Sequence, residues 1–137
     1  MTAHFVDTYY LLALVNTKDA GHDAVLRYRR QSTQQLVTTC WVLVEFADAL
    51  SAVGSRLNAA GFLREFLAET YAEVIPPTWS QFEGALKLYE NRSDKEWSLT
   101  DCISFCVMQE RGITDALTAD HHFEQAGFRA LLRDADV

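Results

Sequence analysis

Four short apolar runs, with stretches of helical period between them, constrain this chain more than any other feature. His4–Val6, Leu36–Thr39, Ala72–Ile75 and residues 113–117 are too short for helices and carry β-branched or aromatic side chains, so they read as strands. Residues 128–132, after the turn residue Gly127, read as a fifth strand at an edge. Helices are predicted over residues 9–15, 20–30, 41–53, 57–67, 79–89 and 100–111. Pro76 and Pro77 close the third strand because proline cannot donate to the ladder, and Gly112 stands where the last long helix wants a left-handed cap. Strands that alternate with helices imply an α/β fold, a parallel sheet covered on both faces.

The 137 residues, 49% of them hydrophobic, suffice for one core and not for two, so one domain over 1–137 is expected. The apolar stretch of residues 41–46 is interrupted by Glu45 and falls far short of the roughly 20 residues of a membrane span. The start of the chain has no basic flank and no small-residue cleavage site, so a cytoplasmic protein is expected. Cys40, Cys102 and Cys106 are an odd set in apolar segments, which argues for buried thiols rather than a disulfide framework. A formal net charge of −7 excludes nucleic-acid binding by bulk electrostatics. Any such contact has to be local or assisted by metal.

Open parallel sheets bind ligands beyond the carboxyl ends of their strands, near the point where strand order reverses. Asp7 ends the first strand and Asp120 follows the fourth, although either alone reads equally as a helix cap. Glu45 sits in a helix of apolar residues, where a carboxylate needs a partner; the alternative is a polar stripe shared with Asp48. Asp101 falls in the first turn of a helix that Ser98 can cap, a position that also aims its carboxylate out of the helix start. Acids gathered in one cleft repel one another unless protons or cations compensate. Mg²⁺ or Mn²⁺, with oxygen ligands, would resolve that conflict and support phosphodiester hydrolysis without a protein nucleophile.

The segments His4-Phe5-Val6-Asp7-Thr8, the Glu45 helix, Thr100-Asp101-Cys102 and Thr118-Ala119-Asp120-His121-His122-Phe123 together resemble the PIN-domain family. The resemblance covers nearly the whole chain in the family's order and spacing. It implies a Rossmann-like three-layer sandwich with a mostly parallel sheet of about five strands, and metal-dependent ribonuclease activity. Many short members are toxins of the VapC type, so it also implies an RNA substrate, a homodimer and a cognate antitoxin. The family's acid positions fall on Asp7, Glu45, Asp101 and Asp120, and its hydroxyls near the site on Thr8 and Thr118. Asp115 is a fifth nearby acid that could point into the site or merely end a ladder. His121 departs from the pattern, standing where an Arg or Lys often follows the last acid.

Cys102 and Cys106 with His121 and His122 could be read as a zinc set, but their spacing fits structural zinc poorly. Arg27, Arg29 and Arg30 read as a solvated helix end, and Tyr9, Tyr10, Trp41, Trp79 and Trp97 mostly as core or interface. A phosphorylation receiver would also gather acids around Mg²⁺, yet Asp7 stands alone and Pro76-Pro77 occupies the phosphoacceptor place. An RNA-processing nuclease outside a toxin system, or a binding module that has lost catalysis, stays open as an alternative.

Overall fold

The structure, a computed structural model, describes residues 3–133; the ends of the expected 1–137 domain lie outside the described residues. The elements run β1 (His4–Val6), α1 (Thr8–Val15), α2 (His22–Gln31), β2 (Leu36–Thr39), α3 (Cys40–Ala49), α4 (Arg56–Ala68), β3 (Ala72–Ile75), α5 (Trp79–Asn91), α6 (Leu99–Arg111), β4 (Asp115–Leu117), α7 (His121–Gln125) and β5 (Arg129–Ala130). The strands form one sheet in the order β3-β2-β1-β4-β5, and every pairing is parallel. The mostly parallel five-stranded sheet read from the sequence is therefore parallel throughout.

Burial follows position in the sheet. All four residues of β2 are buried, as a strand covered on both faces requires, and Phe5 and Val6 of β1 are fully inaccessible. The edge strand β3 instead exposes Glu73, and a charge on the edge discourages pairing with another chain. Arg111 donates two bonds to the Glu73 carboxylate, at 2.7 and 3.1 Å.

Differences from the expected boundaries have local causes. Helix α3 stops at Ala49, four residues early, and the Ser51 hydroxyl just beyond donates to the Asp48 carbonyl at 2.7 Å, satisfying an orphan acceptor. Helix α2 starts at His22 because the Asp19 carboxylate takes the Gly21 N–H at 2.8 Å and turns the chain first. Strand β5 is only two residues long: Leu131 and Leu132 still bond to the Ala116 and Thr118 carbonyls, but the chain bends there and buries Leu132. Gly112 caps α6 at φ 67°, as expected. A seventh helix, α7, joins the six foreseen. The three cysteines are free, but only Cys102 is buried; Cys40 and Cys106 are half-buried, which corrects the expectation for those two.

Strand order decides where a site can lie. The chain builds β1, β2 and β3 outward in one direction, then crosses back to set β4 on the other side of β1. The reversal leaves a crevice between the carboxyl ends of β1 and β4. Among the described residues, no helix is long and apolar enough to cross a membrane.

Candidate active site

Val6 and Leu117 are paired in register, so Asp7 and Thr118 emerge side by side from adjacent strands. The Thr118 hydroxyl donates to Asp7 Oδ2 at 2.8 Å and accepts the Asp120 N–H at 3.0 Å. Asp7 occupies the N-cap position of α1 but makes no capping bond with its side chain, so the cap reading fails for it. Its carboxylate faces the crevice instead. Thr8, the first residue of α1, donates to Glu45 Oε1 at 2.5 Å, which ties α3 to the same crevice.

For Asp101 and Asp120, the structural and the functional position coincide. Ser98 and Asp101 make a reciprocal capping box on α6, with Asp101 accepting the Ser98 N–H at 3.2 Å. Asp120 caps α7 by accepting the His122 N–H at 2.9 Å. Both carboxylates still line the cleft with Asp7, Thr8, Glu45, Ser98 and His122. Four acids spread over 114 positions of sequence thus share one cavity, and no Lys or Arg is among the residues that line it.

The electrostatics follow from that crowding. Burial pushes the Asp7 carboxyl up to about 7, opposed by the Thr118 hydrogen bond and reinforced by the Asp101 and Glu45 charges. Asp101 is also raised, first by burial and further by Asp120, against the Ser98 hydrogen bond and His122. Carboxyls held above their ordinary range by lost solvation and like charge are groups that a cation would return to the ionised form.

The structure decides between the two readings of Asp115 and places His121 differently from its own. Asp115 begins β4, at the far end of the strand from the cleft, 3.5 Å from Arg129 Nη1 and 3.8 Å from His4 Nε2. It ends a ladder and does not reach the site. His121 is not a lining residue: its side chain is 57% exposed, and its Nδ1 stands 3.7 Å from Asp120 Oδ1. His122 takes the inward place, with Nδ1 3.3 Å from Asp101 Oδ2 and 3.4 Å from Asp120 Oδ1. Sequence reasoning missed this histidine and the exposed Glu96, which also borders the cleft. The N-cap at Asp120 signals that a helix starts at His121, but a bond to a backbone N–H does not tell which of the two histidines faces the cleft.

The weaker readings also resolve. Neither Cys102 nor Cys106 joins the Asp120–His121–His122 group, the cluster of potential metal ligands among the described residues. Arg27, Arg29 and Arg30 lie exposed at the end of α2, just before the amino end of β2. Tyr10 and Trp97 are buried, Tyr9 and Trp41 half-buried, and Trp79 is exposed and stacked on Phe82.

The PIN domain family profile matches residues 4–129. The chain is 32% identical over 126 residues to the 23S rRNA-specific endonuclease VapC20 of Mycobacterium tuberculosis strain CDC 1551 / Oshkosh, a match covering 90% of this chain and 94% of that protein. The same protein of strain H37Rv matches equally. The crystal structure of Mycobacterium tuberculosis VapC20, a Sarcin-Ricin loop cleaving toxin, aligns with a TM-score of 0.84 and 29% identity over 92% of this chain and 96% of that one. Fold and sequence agree over nearly the whole length: this chain belongs to the PIN-domain family.

Proposed function

We propose that this chain is an endoribonuclease of the VapC toxin type that hydrolyses RNA phosphodiester bonds with divalent cations, Mg²⁺ or Mn²⁺, held by Asp7, Glu45, Asp101 and Asp120. The observation that carries the reading is the shared cleft of these acids at the sheet's reversal point, with no Lys or Arg in its lining. The likeness to an rRNA endonuclease over most of both chains supports RNA as the substrate class.

The donor set fits a hard divalent ion, because it offers carboxylate oxygens with few competing hydrogen bonds. When bound, such an ion supplies charge neutralisation and Lewis acidity toward the phosphodiester. The protein's part is positioning. Thr118 orients the Asp7 carboxylate and Thr8 that of Glu45, while backbone N–H groups of Ser98 and His122 hold Asp101 and Asp120. These partners are fixed by folding, so little ordering remains to be done when substrate arrives.

A net charge of −7 gives RNA no general attraction to the surface, so the cations have to bring the phosphate to this cleft. The same acidity suits a partner that carries basic side chains into the cleft, and an antitoxin segment of that kind is the expected inhibitor. The chain is expected to act as a homodimer, which light scattering at micromolar concentration tests directly.

Incubation of the purified chain with ribosomal RNA and Mg²⁺ or Mn²⁺ tests the activity. Discrete cleavage products that disappear with EDTA are expected. Intact RNA under both ions at active-site excess, on rRNA and on mixed single-stranded RNA alike, would overturn the reading.

A further inference from the structure

The acidic cleft leaves a dense group of cations unused. Arg27, Arg29 and Arg30 fall within four residues of a chain whose net charge is −7, and among the described residues none of them enters an ion pair. Their charges outweigh the roughly half negative charge that a helix carries at its carboxyl end, so this corner attracts anions. Arg29 also opens onto a cavity of about 210 Å³ that shares no residue with the cleft. The cavity lies at the amino end of the sheet, where Ser32 and Gln34 lead into β2 and Tyr71 stands just before β3.

No Asp or Glu lines this cavity; its walls include Tyr10, Tyr28 and Tyr71 with Ser32, Gln34 and Arg29. The Tyr10 and Tyr28 rings meet edge-on with centroids 6.0 Å apart, and the Tyr28 hydroxyl is 2.6 Å from His4 Nδ1, so both rings are held. Tyr10 is 3% exposed, yet its hydroxyl makes no hydrogen bond among the described residues. Burial pushes that phenol up to about 12, against the pull of Arg29, so it stays protonated as a donor in want of an acceptor. Tyr71 is 38% exposed, which leaves ring surface for stacking.

We infer that this cavity is a nucleotide site, with a base held against the tyrosines and its phosphate on Arg29. The lining selects that ligand class. Aromatic rings take bases by stacking, the Tyr10 hydroxyl and the Gln34 amide can meet the polar edge of a base, and a guanidinium matches phosphate in two-point geometry. The volume is below the roughly 300–1,000 Å³ of a drug-sized pocket, so it suits one base and not a stack. Arg29 also borders a smaller cavity of about 90 Å³ with Glu65 and Glu69, but it pairs with neither, and its charge stays available to a ligand. The nucleotide can be an unpaired residue of a bound RNA or a free mononucleotide. In both cases it binds at the opposite end of the sheet from the acids and needs no cation.

The test uses the full chain in EDTA, so that binding is read apart from the cation-dependent cleft. Wild type, Arg29→Ala, Tyr71→Ala, Tyr71→Phe and Tyr10→Phe are compared, with thermal melting to show that each is folded. Calorimetry with nucleoside 5′-monophosphates reads the free source, and anisotropy of a short fluorescent single-stranded RNA reads the polymer. Binding of at least one of the two is expected, weakened about fivefold or more in Tyr71→Ala, the low end of what stacking contributes per base, and kept within about twofold in Tyr71→Phe. Arg29→Ala is expected to weaken binding about tenfold or more. With RNA it should also lower the slope of log affinity against log salt by about 0.7, the value of one phosphate on a single strand. Tyr10→Phe, which removes one hydrogen bond, is expected to weaken binding about two- to tenfold.

Binding of mononucleotide alone identifies a soluble ligand and binding of RNA alone an anchoring site for substrate; either supports the inference. Binding of neither, or affinity unchanged by Arg29→Ala or Tyr71→Ala, overturns it. Equal displacement of the ligand by inorganic phosphate or by polyglutamate also overturns it, because charge alone would then explain the binding. If the chain binds neither ligand in EDTA and cleaves RNA once Mn²⁺ is restored, this inference alone fails. If it binds nucleotide and cleaves nothing with Mg²⁺ or Mn²⁺, the nuclease reading fails and this one stands.

Discussion

At the amino-terminal end of the sheet, Asp115 stands 3.5 Å from Arg129 and 3.8 Å from His4, and on edge strand β3 Glu73 takes a two-point bond from Arg111. At the carboxyl-terminal end, Asp7, Glu45, Asp101 and Asp120 face one another across a cleft with hydroxyls, backbone N–H groups and one histidine for company. Each end carries acids within the same small fold, but only the first pairs them with arginines. Paired acids secure the structure, whereas a buried acid among acids lowers stability and persists where an external cation, and the chemistry it brings, compensates.

The largest break in that comparison is expected from Asp7→Asn set beside Asp115→Asn. The first should reduce RNA cleavage by about a hundredfold or more, since even partners behind metal ligands are worth about 10- to 100-fold, while the second should leave turnover within about twofold. Single-turnover cleavage of a fluorescent RNA checks both; equal effects would erase the distinction between the two ends.

Thr118→Val follows. It keeps the shape of a fully buried side chain but removes the bond to Asp7 and the acceptor for the Asp120 N–H. A loss of about 10- to 100-fold in Mn²⁺ affinity, read by calorimetry, is expected. Unchanged affinity would show that Asp7 needs no orienting partner.

The pH dependence of stability comes next, measured by thermal melting in EDTA. The Asp7 carboxyl is raised from 3.8 to about 7 on folding, so between these values the folded state binds more protons than the unfolded one. The Asp7 contribution to the stability of the metal-free chain should be level below about pH 4, fall by up to about 1.4 kcal/mol per pH unit toward pH 7, and level off above that. Asp7→Asn should flatten this slope, as should saturating Mn²⁺, which favours the ionised carboxylate. A wild-type slope of opposite sign in that window would contradict the burial assigned to Asp7.

The smallest effect is expected at the paired end. Arg111→Ala removes the exposed bond to Glu73 and should cost about 1 kcal/mol or less, with no change in cleavage. A larger loss in urea unfolding would make the β3 edge more dependent on this pair than its exposure implies.

The sheet was readable because its signals are local. Leu36–Thr39 and Ala72–Ile75 were bounded correctly: one is a short β-branched run and the other is stopped by Pro76. Boundaries slipped where a side chain intervened, as Ser51 did after α3 and Asp19 before α2. The site was legible in part. Asp7, Glu45, Asp101 and Asp120 were named from chain position and family pattern, and the cleft does bring them together. Asp115 was left open between the site and a ladder end, and His121 was placed on the wrong side, because sequence distance does not tell which end of a strand, or which side of a one-turn helix, a residue occupies.

By itself, the sequence determined the alternation of strands and helices and the identity of the acids, since apolar period, prolines and caps act over a few residues. Only the tertiary structure decided that Thr118 meets Asp7 across 111 positions, that Asp115 finds Arg129, and that His122 rather than His121 turns inward. These depend on strand order and on which charges burial brings together, and both are properties of long-range packing that no local pattern encodes.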